Sequence, residues 1–281
     1  MKSQQQHPRS FSFEFFPPKT PVGEEKLRAT WQQLAQLSPR FFSVTYGAGG
    51  STRERTLQTV LDIQSAGHAA APHLSCIGST RADVAATLAL YQAKGVRHIV
   101  ALRGDLPSGT ASIGELHYAN ELVEFIREKT GDHFQIEVAC YPEIHPQAKN
   151  AHDDLARFKA KIDAGANSAI TQYFFNSDCY FSFIDDCARA GIEKPIVPGI
   201  MPIANFSQLA RFSDACGAEI PRWLRLKMQA YGDDVESIRS YGLDVVTALC
   251  ERLLSQGAPG LHFYTMNQAG LTSEIWKRLG L

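Results

Sequence analysis

The sequence predicts a single (β/α)8 barrel of the TIM type, with extra helices before its last strand. Eight short runs rich in apolar and β-branched residues recur along the chain, and most begin roughly 30 residues apart, the size of one βαβ unit. Stretches with the apolar spacing of an amphipathic helix separate most of these runs. The first run is followed by Pro17, Pro18 and Lys19. These residues cannot form the glycine-rich phosphate loop of a doubly wound open sheet, the main alternative architecture.

The predicted elements alternate between strand and helix, as a parallel sheet requires. The predicted strands span residues 11–16, 41–46, 70–76, 98–103, 135–141, 169–175, 196–200 and 261–266. The predicted helices between them include residues 24–37, 53–66, 80–94, 118–129 and 148–164. The interval before the last strand is the longest, and it holds the extra helices, predicted at residues 206–215 and 233–254.

Length and composition indicate one globular domain, placed at residues 11–281, after a polar tail at residues 1–10 that is expected to be disordered. The net charge of -1 argues against nucleic acid as a partner. The chain has no run of about 18 apolar residues and no signal-peptide core, so no membrane contact is expected. Its six cysteines form no CxxC pair, which indicates reduced thiols in a cytoplasmic protein.

The first strand carries Glu14 between Phe13 and Phe15, near the carboxyl end where barrel enzymes place their chemistry. Burial among aromatic rings is expected to raise the pKa of this carboxyl group. A carboxyl group that keeps its proton near neutral pH can act as a general acid. The alternative is a buried Glu that simply pairs with a cation or a hydroxyl group.

The fourth strand ends in Arg103, Gly104 and Asp105. Gly104 would let the backbone approach a flat ligand closely, and Asp105 could stabilise a developing cation. The alternative is a turn with a surface salt bridge.

The helix after the fifth strand carries Asp154, Arg157 and Lys161 at intervals of three and four residues, which places them on one face. This face could bind a pyrophosphate and a ribose hydroxyl, or it could be a solvated stripe of ion pairs. His73, Glu143 and His145 could in principle bind zinc, but they lack the spacing of zinc ligands, so no metal is expected.

Several segments, taken together and in order, resemble the successive motifs of the methylenetetrahydrofolate reductases. They are SFEFFPPKT, FFSVTYGAGGSTRERT, AAPHLSCIG, GVRHIVALRGDLP, VACYPEIHPQAK, KIDAGANSAITQYFFN, IVPGIMPIANF and LHFYTMN. The resemblance runs from about Ser12 to Leu279. It implies a barrel with non-covalent FAD that reduces 5,10-methylenetetrahydrofolate to 5-methyltetrahydrofolate. It also implies NADH or NADPH as the electron donor, ping-pong kinetics, a role in methionine synthesis, and a homo-oligomer.

The resemblance assigns roles to individual residues. Glu14 matches the general acid that protonates N10 of the folate, and Asp105 matches the carboxylate that meets both flavin and pterin. Residues matching FAD contacts are Thr45, Tyr46, Ala48, His73, Arg103, Gly104, Asp105, Tyr118, Ala119, Tyr141, His145, Ala148, Asp154, Arg157 and Lys161. Residues matching contacts to folate or nicotinamide are Gln172, Gln208, Phe212 and Gln268.

Two positions depart from the family pattern. Gln268 stands where an Arg is familiar, which weakens an ionic contact to the folate tail, and Arg157 stands where an Asn is familiar. The alternative function is a barrel that binds a pterin or folate without reductase activity. A pterin-dependent methyltransferase is disfavoured because no cysteine cluster is present, and a class I aldolase because no predicted strand carries a Lys. The sequence does not distinguish NADH from NADPH as donor.

Overall fold

The structure is a computed structural model that describes residues 1–47, 52–105 and 114–281. Ala48, one of the expected FAD contacts, lies outside the described residues.

Nine parallel strands form the barrel. They are β1 Ser10–Phe15, β2 Phe41–Val44, β3 Ala70–Ser75, β4 His98–Leu102, β5 Gln135–Cys140, β6 Ser168–Thr171, β7 Ile196–Val197, β8 Gly199–Ile200 and β9 Gly260–Tyr264. The pairing order is β7-β6-β5-β4-β3-β2-β1-β9-β8. Strands β7 and β8 are the two halves of the predicted seventh strand, interrupted at Pro198, which has no N–H for the ladder. The predicted eight-stranded barrel is therefore confirmed, with its seventh strand in two pieces.

The helices surround this barrel. They are α1 Lys2–Gln5, α2 Pro21–Ala35, α3 Arg53–Ser65, α4 Arg81–Ala93, α5 Ala119–Thr130, α6 Ala151–Asp163, α7 Ser177–Arg189, α8 Phe206–Cys216, α9 Arg222–Ala230, α10 Val235–Ser255 and α11 Gly270–Arg278. Three of them, α8 to α10, lie between β8 and β9, which confirms the extra helices before the last strand. No helix within the described ranges is long and apolar enough to cross a membrane.

Side chains alternate between the two faces of each strand, and this alternation decides what enters the barrel. Phe13 and Phe15 of β1 point outward into the main core, where the Phe13 ring packs near Phe42 and Phe263. Inside the barrel, a separate apolar cluster consists of Phe41, Ala71, Val100 and Ile170. Val100 and Ile170 also line the cavity above, so this cluster forms its floor.

The first ten residues differ from the disordered tail expected from their polarity. Residues 2–5 form α1, and the Gln4 side chain is fully buried. Its Oε1 accepts a hydrogen bond from Ile196 N at 2.8 Å, and its Nε2 donates to Lys194 O at 3.2 Å. Gln4 thus provides hydrogen-bond partners for backbone groups at the start of β7. The polarity of residues 1–10 alone does not predict this contact.

Candidate active site

A cleft in two parts lies at the carboxyl ends of the strands. The central cavity, of about 510 Å³, is bordered by Glu14 of β1, His73 of β3 and Gln172 after β6. A side cavity of about 230 Å³ lies between the loop after β4 and helix α6. Tyr141 and His145 border both cavities, so the two parts are continuous. The cleft can therefore take one elongated ligand whose ends differ in chemistry.

The Glu14 carboxylate lies near the floor of the central cavity, with its side chain 12% exposed. Its Oε2 atom accepts hydrogen bonds from Ser43 Oγ and His262 Nε2, both at 3.3 Å. His73 Nε2 lies 3.2 Å from the same oxygen. Within the described part of the chain no hydrogen bond reaches Oε1, so this oxygen is free to meet a ligand.

The surroundings of Glu14 correct the expectation of a raised pKa. Burial raises the pKa of Glu14, but the charge of His73 and the hydrogen bond from His262 outweigh that effect and lower it to about 2. The two flanking phenylalanines do not enclose the carboxyl group, because adjacent residues of a strand point to opposite faces. The lowered pKa favours the ionised form of Glu14 at neutral pH when no ligand is bound.

His73 has an unsatisfied ring nitrogen. Its Nε2 atom is buried and, although close to Glu14, makes no hydrogen bond with acceptable geometry. A buried polar atom without a partner costs free energy unless a ligand satisfies it. His73 therefore offers a hydrogen-bonding position to whatever fills the central cavity.

The loop after β9 fixes the end of β1. The Asn267 side-chain amide accepts a hydrogen bond from Phe16 N at 2.8 Å and donates one to Phe16 O at 2.9 Å. It therefore pairs with both backbone groups of Phe16, as the backbone of an adjacent strand would. Thr265 Oγ1 donates to Glu14 O at 2.6 Å. Both Met266 and Asn267 have positive φ, which turns the chain sharply here. Together these contacts hold the Glu14 backbone and keep the exposed Phe16 ring at the cavity rim.

The side cavity is rich in cations. Arg103, Arg157 and Lys161 line it, together with Asp154. Arg157 pairs with Asp153 at 3.0 Å and lies over the Tyr118 ring at 5.2 Å, whereas Arg103 and Lys161 form no ion pair with any described residue. Lys161 Nζ donates to Ala139 O at 2.5 Å, and burial lowers its pKa. Cations without a carboxylate partner at a cavity wall suit an anionic ligand.

His145 links the two cavities through a fixed orientation. Asp154 Oδ2 accepts from His145 N at 2.8 Å, and His145 Nδ1 accepts from Gln147 N at 3.0 Å. Because Nδ1 accepts, the hydrogen of the neutral ring lies on Nε2. Burial lowers the pKa of His145, which favours this neutral form.

Most residues singled out in the sequence meet in this cleft. The central cavity is lined by Glu14, Thr45, His73, Asp105, Tyr141, His145, Gln172 and Phe212, and the side cavity by Arg103, Tyr118, Ala119, Tyr141, His145, Ala148, Asp154, Arg157 and Lys161. Asp154, Arg157 and Lys161 do share one face of α6, as their spacing predicted. Gln172, directly after β6, and Phe212 of α8 line the central cavity from two different parts of the chain.

Four singled-out residues line neither cavity. They are Tyr46, Gly104, Gln208 and Gln268. Gly104 has a φ of +83°, and a Cβ there would overlap Ser75 Oγ, so glycine is required by the backbone whether or not a ligand approaches. Gln268 is exposed in the turn after β9.

Several residues that bond Glu14 or border the cavity were not singled out in the sequence. His262 is fully buried and bonds Glu14, Ser43 bonds the same carboxylate, and Tyr264 Oη donates to Thr171 O at 2.8 Å at the cavity wall. The alternation of His262 and Tyr264 along β9 was a usable signal, because it places two polar rings on the inner face. Among the described residues, no three His, Cys, Asp or Glu side chains are arranged to hold a metal ion.

Sequence comparison matches nearly the whole chain to one family. The family model described as methylenetetrahydrofolate reductase matches residues 1–280. The 5,10-methylenetetrahydrofolate reductase of Salmonella typhimurium is 43% identical over 271 residues, which cover 96% of this chain and 90% of that protein. The Escherichia coli protein of the same name is 42% identical with the same coverage. Methylenetetrahydrofolate reductase (NADH) 1 of Arabidopsis thaliana is 37% identical, covering 97% of this chain and 48% of that protein.

Structural comparison finds the same fold in more distant proteins. A Clostridium thermocellum protein described as binding two copies of 5-methyl-5,6,7,8-tetrahydrofolic acid superposes with a TM-score of 0.68 at 16% identity, covering 98% of this chain and 95% of that one. A dihydropteroate synthase from Coxiella burnetii, solved with pteroic acid, gives 0.51 at 9% identity, covering 98% and 93%. At these identities the likeness extends to the barrel alone.

Proposed function

Because the chain belongs to the methylenetetrahydrofolate reductase family, we propose that it reduces 5,10-methylenetetrahydrofolate to 5-methyltetrahydrofolate, with FAD as cofactor and NADH or NADPH as electron donor. The observation that carries this proposal is the cleft itself. It places a buried carboxylate, Glu14, at the floor of one cavity, and cations without carboxylate partners at the wall of the adjoining one. The name of the plant relative supports NADH as a donor.

FAD fits the residues that are present. Its pyrophosphate is anionic, and Arg103, Arg157 and Lys161 provide the cationic side cavity. Its ring system would need hydrogen bonds in the central cavity, which His73 lines and where its Nε2 atom makes no hydrogen bond. Asp154 accepts a hydrogen bond from the backbone N–H of His145 through its Oδ2 atom. Its carboxylate would remain available to a ribose hydroxyl. When bound, FAD would carry the hydride equivalents between the nicotinamide donor and the folate.

Glu14 is proposed to protonate N10 of the folate, which opens the five-membered ring to a 5-iminium cation. Glu14 lines the cavity, its Oε2 is held by Ser43 and His262, and its Oε1 takes no hydrogen bond from a described residue. This arrangement orients one oxygen toward the ligand and stabilises the carboxylate that remains after the proton has left.

Asp105 is proposed to stabilise the iminium cation. Its carboxylate lies at the mouth of the same cavity, where it is exposed until a ligand covers it. A cavity closed by a ligand has a lower effective dielectric constant, and the attraction between this carboxylate and the cation rises accordingly. Gln172 and Phe212 line the same cavity and are proposed to contact the folate or the nicotinamide in turn, in a ping-pong sequence.

The test is the visible spectrum of the purified protein, followed by anaerobic NADH and then methylenetetrahydrofolate. We expect a flavin band that NADH bleaches and the folate restores. Bleaching by NADPH alone would keep the reaction and change the donor. A colourless protein that does not take up added FAD would refute the proposal and favour a folate-binding barrel without reductase activity.

The setting proposed for this activity is a cytoplasmic homo-oligomer that supplies methyl groups for methionine synthesis. Sedimentation of the purified protein would test the oligomeric state directly.

A further inference from the structure

An ionised Glu14 needs a source of protons within reach. His73 and His262 lower the pKa of the buried Glu14 carboxyl group, yet the proposed reaction draws one proton from it in each turnover. Bound ligands would cover Glu14 in the central cavity, which it lines. The proton must therefore already be stored close to Glu14 when the ligand arrives.

His262 has the geometry of such a store. Its side chain is fully buried, and its two ring nitrogens are both occupied by partners inside the barrel. Nε2 lies 3.3 Å from Glu14 Oε2, and Nδ1 lies 2.7 Å from Ser12 Oγ. The strand register makes Ser12 the direct neighbour of His262 between β1 and β9, so the backbone ladder fixes this contact.

We propose that His262 is a positioning residue that stores the proton Glu14 delivers, with Ser12 holding the ring in the required orientation. This inference rests on the proposed role of Glu14 as the general acid and adds the origin of its proton. His262 acts only through Glu14 and need not touch the folate.

The proposed proton movement is balanced. In the proposed resting pair, one shared proton lies on His262 Nε2 and is donated in a hydrogen bond to the Glu14 carboxylate. When the ligand desolvates the cavity, the N–H bond at Nε2 breaks and an O–H bond forms on the carboxyl group, leaving a neutral imidazole beside a neutral acid. The acid then gives this proton to N10. The pair takes one proton from solvent after the product has left and the cavity is open again.

Burial favours one shared proton over two separate charges. A lone buried cation or carboxylate would be costly, but the pair is neutral overall whether the proton lies on nitrogen or oxygen. Ser12 Oγ can accept from Nδ1–H in both arrangements, so the ring keeps its orientation while the proton moves.

The other charged and titratable groups near His262 can be named. His73 of β3 faces the same Glu14 oxygen, and Tyr264 of β9 packs edge-on against the His262 ring at 5.2 Å. Burial raises the pKa of Tyr264 well above its usual range, so it stays neutral. Asp105 lines the same cavity, and the His98 ring of the His98–Glu137 pair packs against Phe41, as the His262 ring does. Of these groups, His73 has a contact with the Glu14 carboxylate, at 3.2 Å from Oε2.

The test compares His262→Asn with His98→Asn. Each variant removes a buried imidazole that bonds a buried carboxylate, but the His98–Glu137 pair, at 2.9 Å, lies outside the cleft. The rate of the folate half-reaction is measured against pH with the enzyme reduced beforehand. A free imidazole titrates near 6.5 and a free carboxyl group near 4.3, so an imidazole holds a proton to higher pH.

With His262→Asn, the pH above which the rate of the folate half-reaction declines should be lower by about one unit or more. At a fixed pH above that point, each unit of this shift should reduce the rate about tenfold. His98→Asn should leave the profile in place. An unchanged profile, or an upward shift, would overturn the proposal, since an upward shift is the result expected if His262 only stabilises the carboxylate. If His262→Asn does not fold, Ser12→Ala replaces it and should shift the profile in the same downward direction.

A second measurement does not depend on turnover. In infrared difference spectra, binding of 5-methyltetrahydrofolate to the oxidised wild-type protein should produce a carboxylic acid band that is missing in Glu14→Gln. The band should be lost in His262→Asn and kept in His98→Asn at the same pH. A band that persists in His262→Asn would overturn the storage role. If Glu14→Gln itself reduces folate normally, the proposed function of Glu14 fails instead, and the two failures are thus distinguishable.

Discussion

Replacing Glu14 with Gln should separate the two halves of the proposed reaction. The amide oxygen of Gln can take the place of Oε2 and still accept from Ser43 and His262, both at 3.3 Å in the wild-type protein. Its NH2 group then faces the cavity, where it can donate a hydrogen bond but cannot transfer a proton. The variant should therefore fold and bind its ligands while lacking the acid.

The expected loss follows from what a positioned general acid contributes. Such a group accelerates a reaction by about 10² to 10⁴, so the folate half-reaction should slow by that factor, equivalent to about 3–5 kcal/mol of activation free energy. Reduction of the flavin by NADH needs no proton from Glu14 and should remain nearly unchanged. Anaerobic stopped-flow absorbance at the flavin band measures both rates in one preparation.

The matched control is Glu137→Gln. Glu137 is the other carboxylate buried inside the barrel, bonded to His98 at 2.9 Å, and it lines neither part of the cleft. This variant should leave the ratio of the two half-reaction rates at the wild-type value. If Glu14→Gln slows both half-reactions equally, its effect is structural and the reasoning about the proton donor is wrong.

Four further outcomes can be checked. Asp105→Asn should slow the folate half-reaction more than the NADH half-reaction in stopped-flow assays, and equal effects would remove its electrostatic role. Lys161→Met should weaken FAD binding about tenfold in fluorescence titrations, as loss of a charge-assisted hydrogen bond predicts; unaltered affinity would place the pyrophosphate elsewhere. Gly199→Ala puts a Cβ 2.6 Å from the Tyr264 ring and should cost about 1–3 kcal/mol in urea unfolding. His98 and burial act oppositely on Glu137, with burial raising and His98 lowering its pKa, and the net pKa is lowered. Its stabilising effect should therefore be present at neutral pH, begin to fall near pH 4, roughly the pKa of an unfolded Glu, and be lost as the pH passes through the lower folded-state pKa. Glu137→Gln and wild type should converge below that folded-state pKa in thermal unfolding.

The barrel itself was predictable because its signals are local. Periodicity and spacing depend on neighbouring residues, and they located all eight strand positions and the helices before β9. The break at Pro198 was visible in principle, since Pro removes a ladder donor. The face shared by Asp154, Arg157 and Lys161 was likewise predictable, because helical spacing alone determines it.

The electrostatic state of Glu14 was not predictable in this way. Its low pKa depends on His73 and His262, and the latter contact joins residues 248 positions apart in sequence. Only the closed register of β1 with β9 brings them together. The N-terminal segment presents the same difficulty, because Gln4 is ordered by backbone groups at residues 194 and 196 rather than by its own neighbours.

The pairing of β1 with β9 also has a consequence for synthesis of the chain on the ribosome. β1 emerges first, but both the strand that closes the barrel and the ring that bonds Glu14 lie in β9, almost at the other end. A contact of such sequence separation forms late, because the intervening loop must be closed first. A nascent chain that has reached β8 therefore has the described cations of the side cavity and still lacks His262, one of the residues that bond Glu14. Closure of the barrel and assembly of the Glu14 site should therefore both wait until β9 has been synthesised.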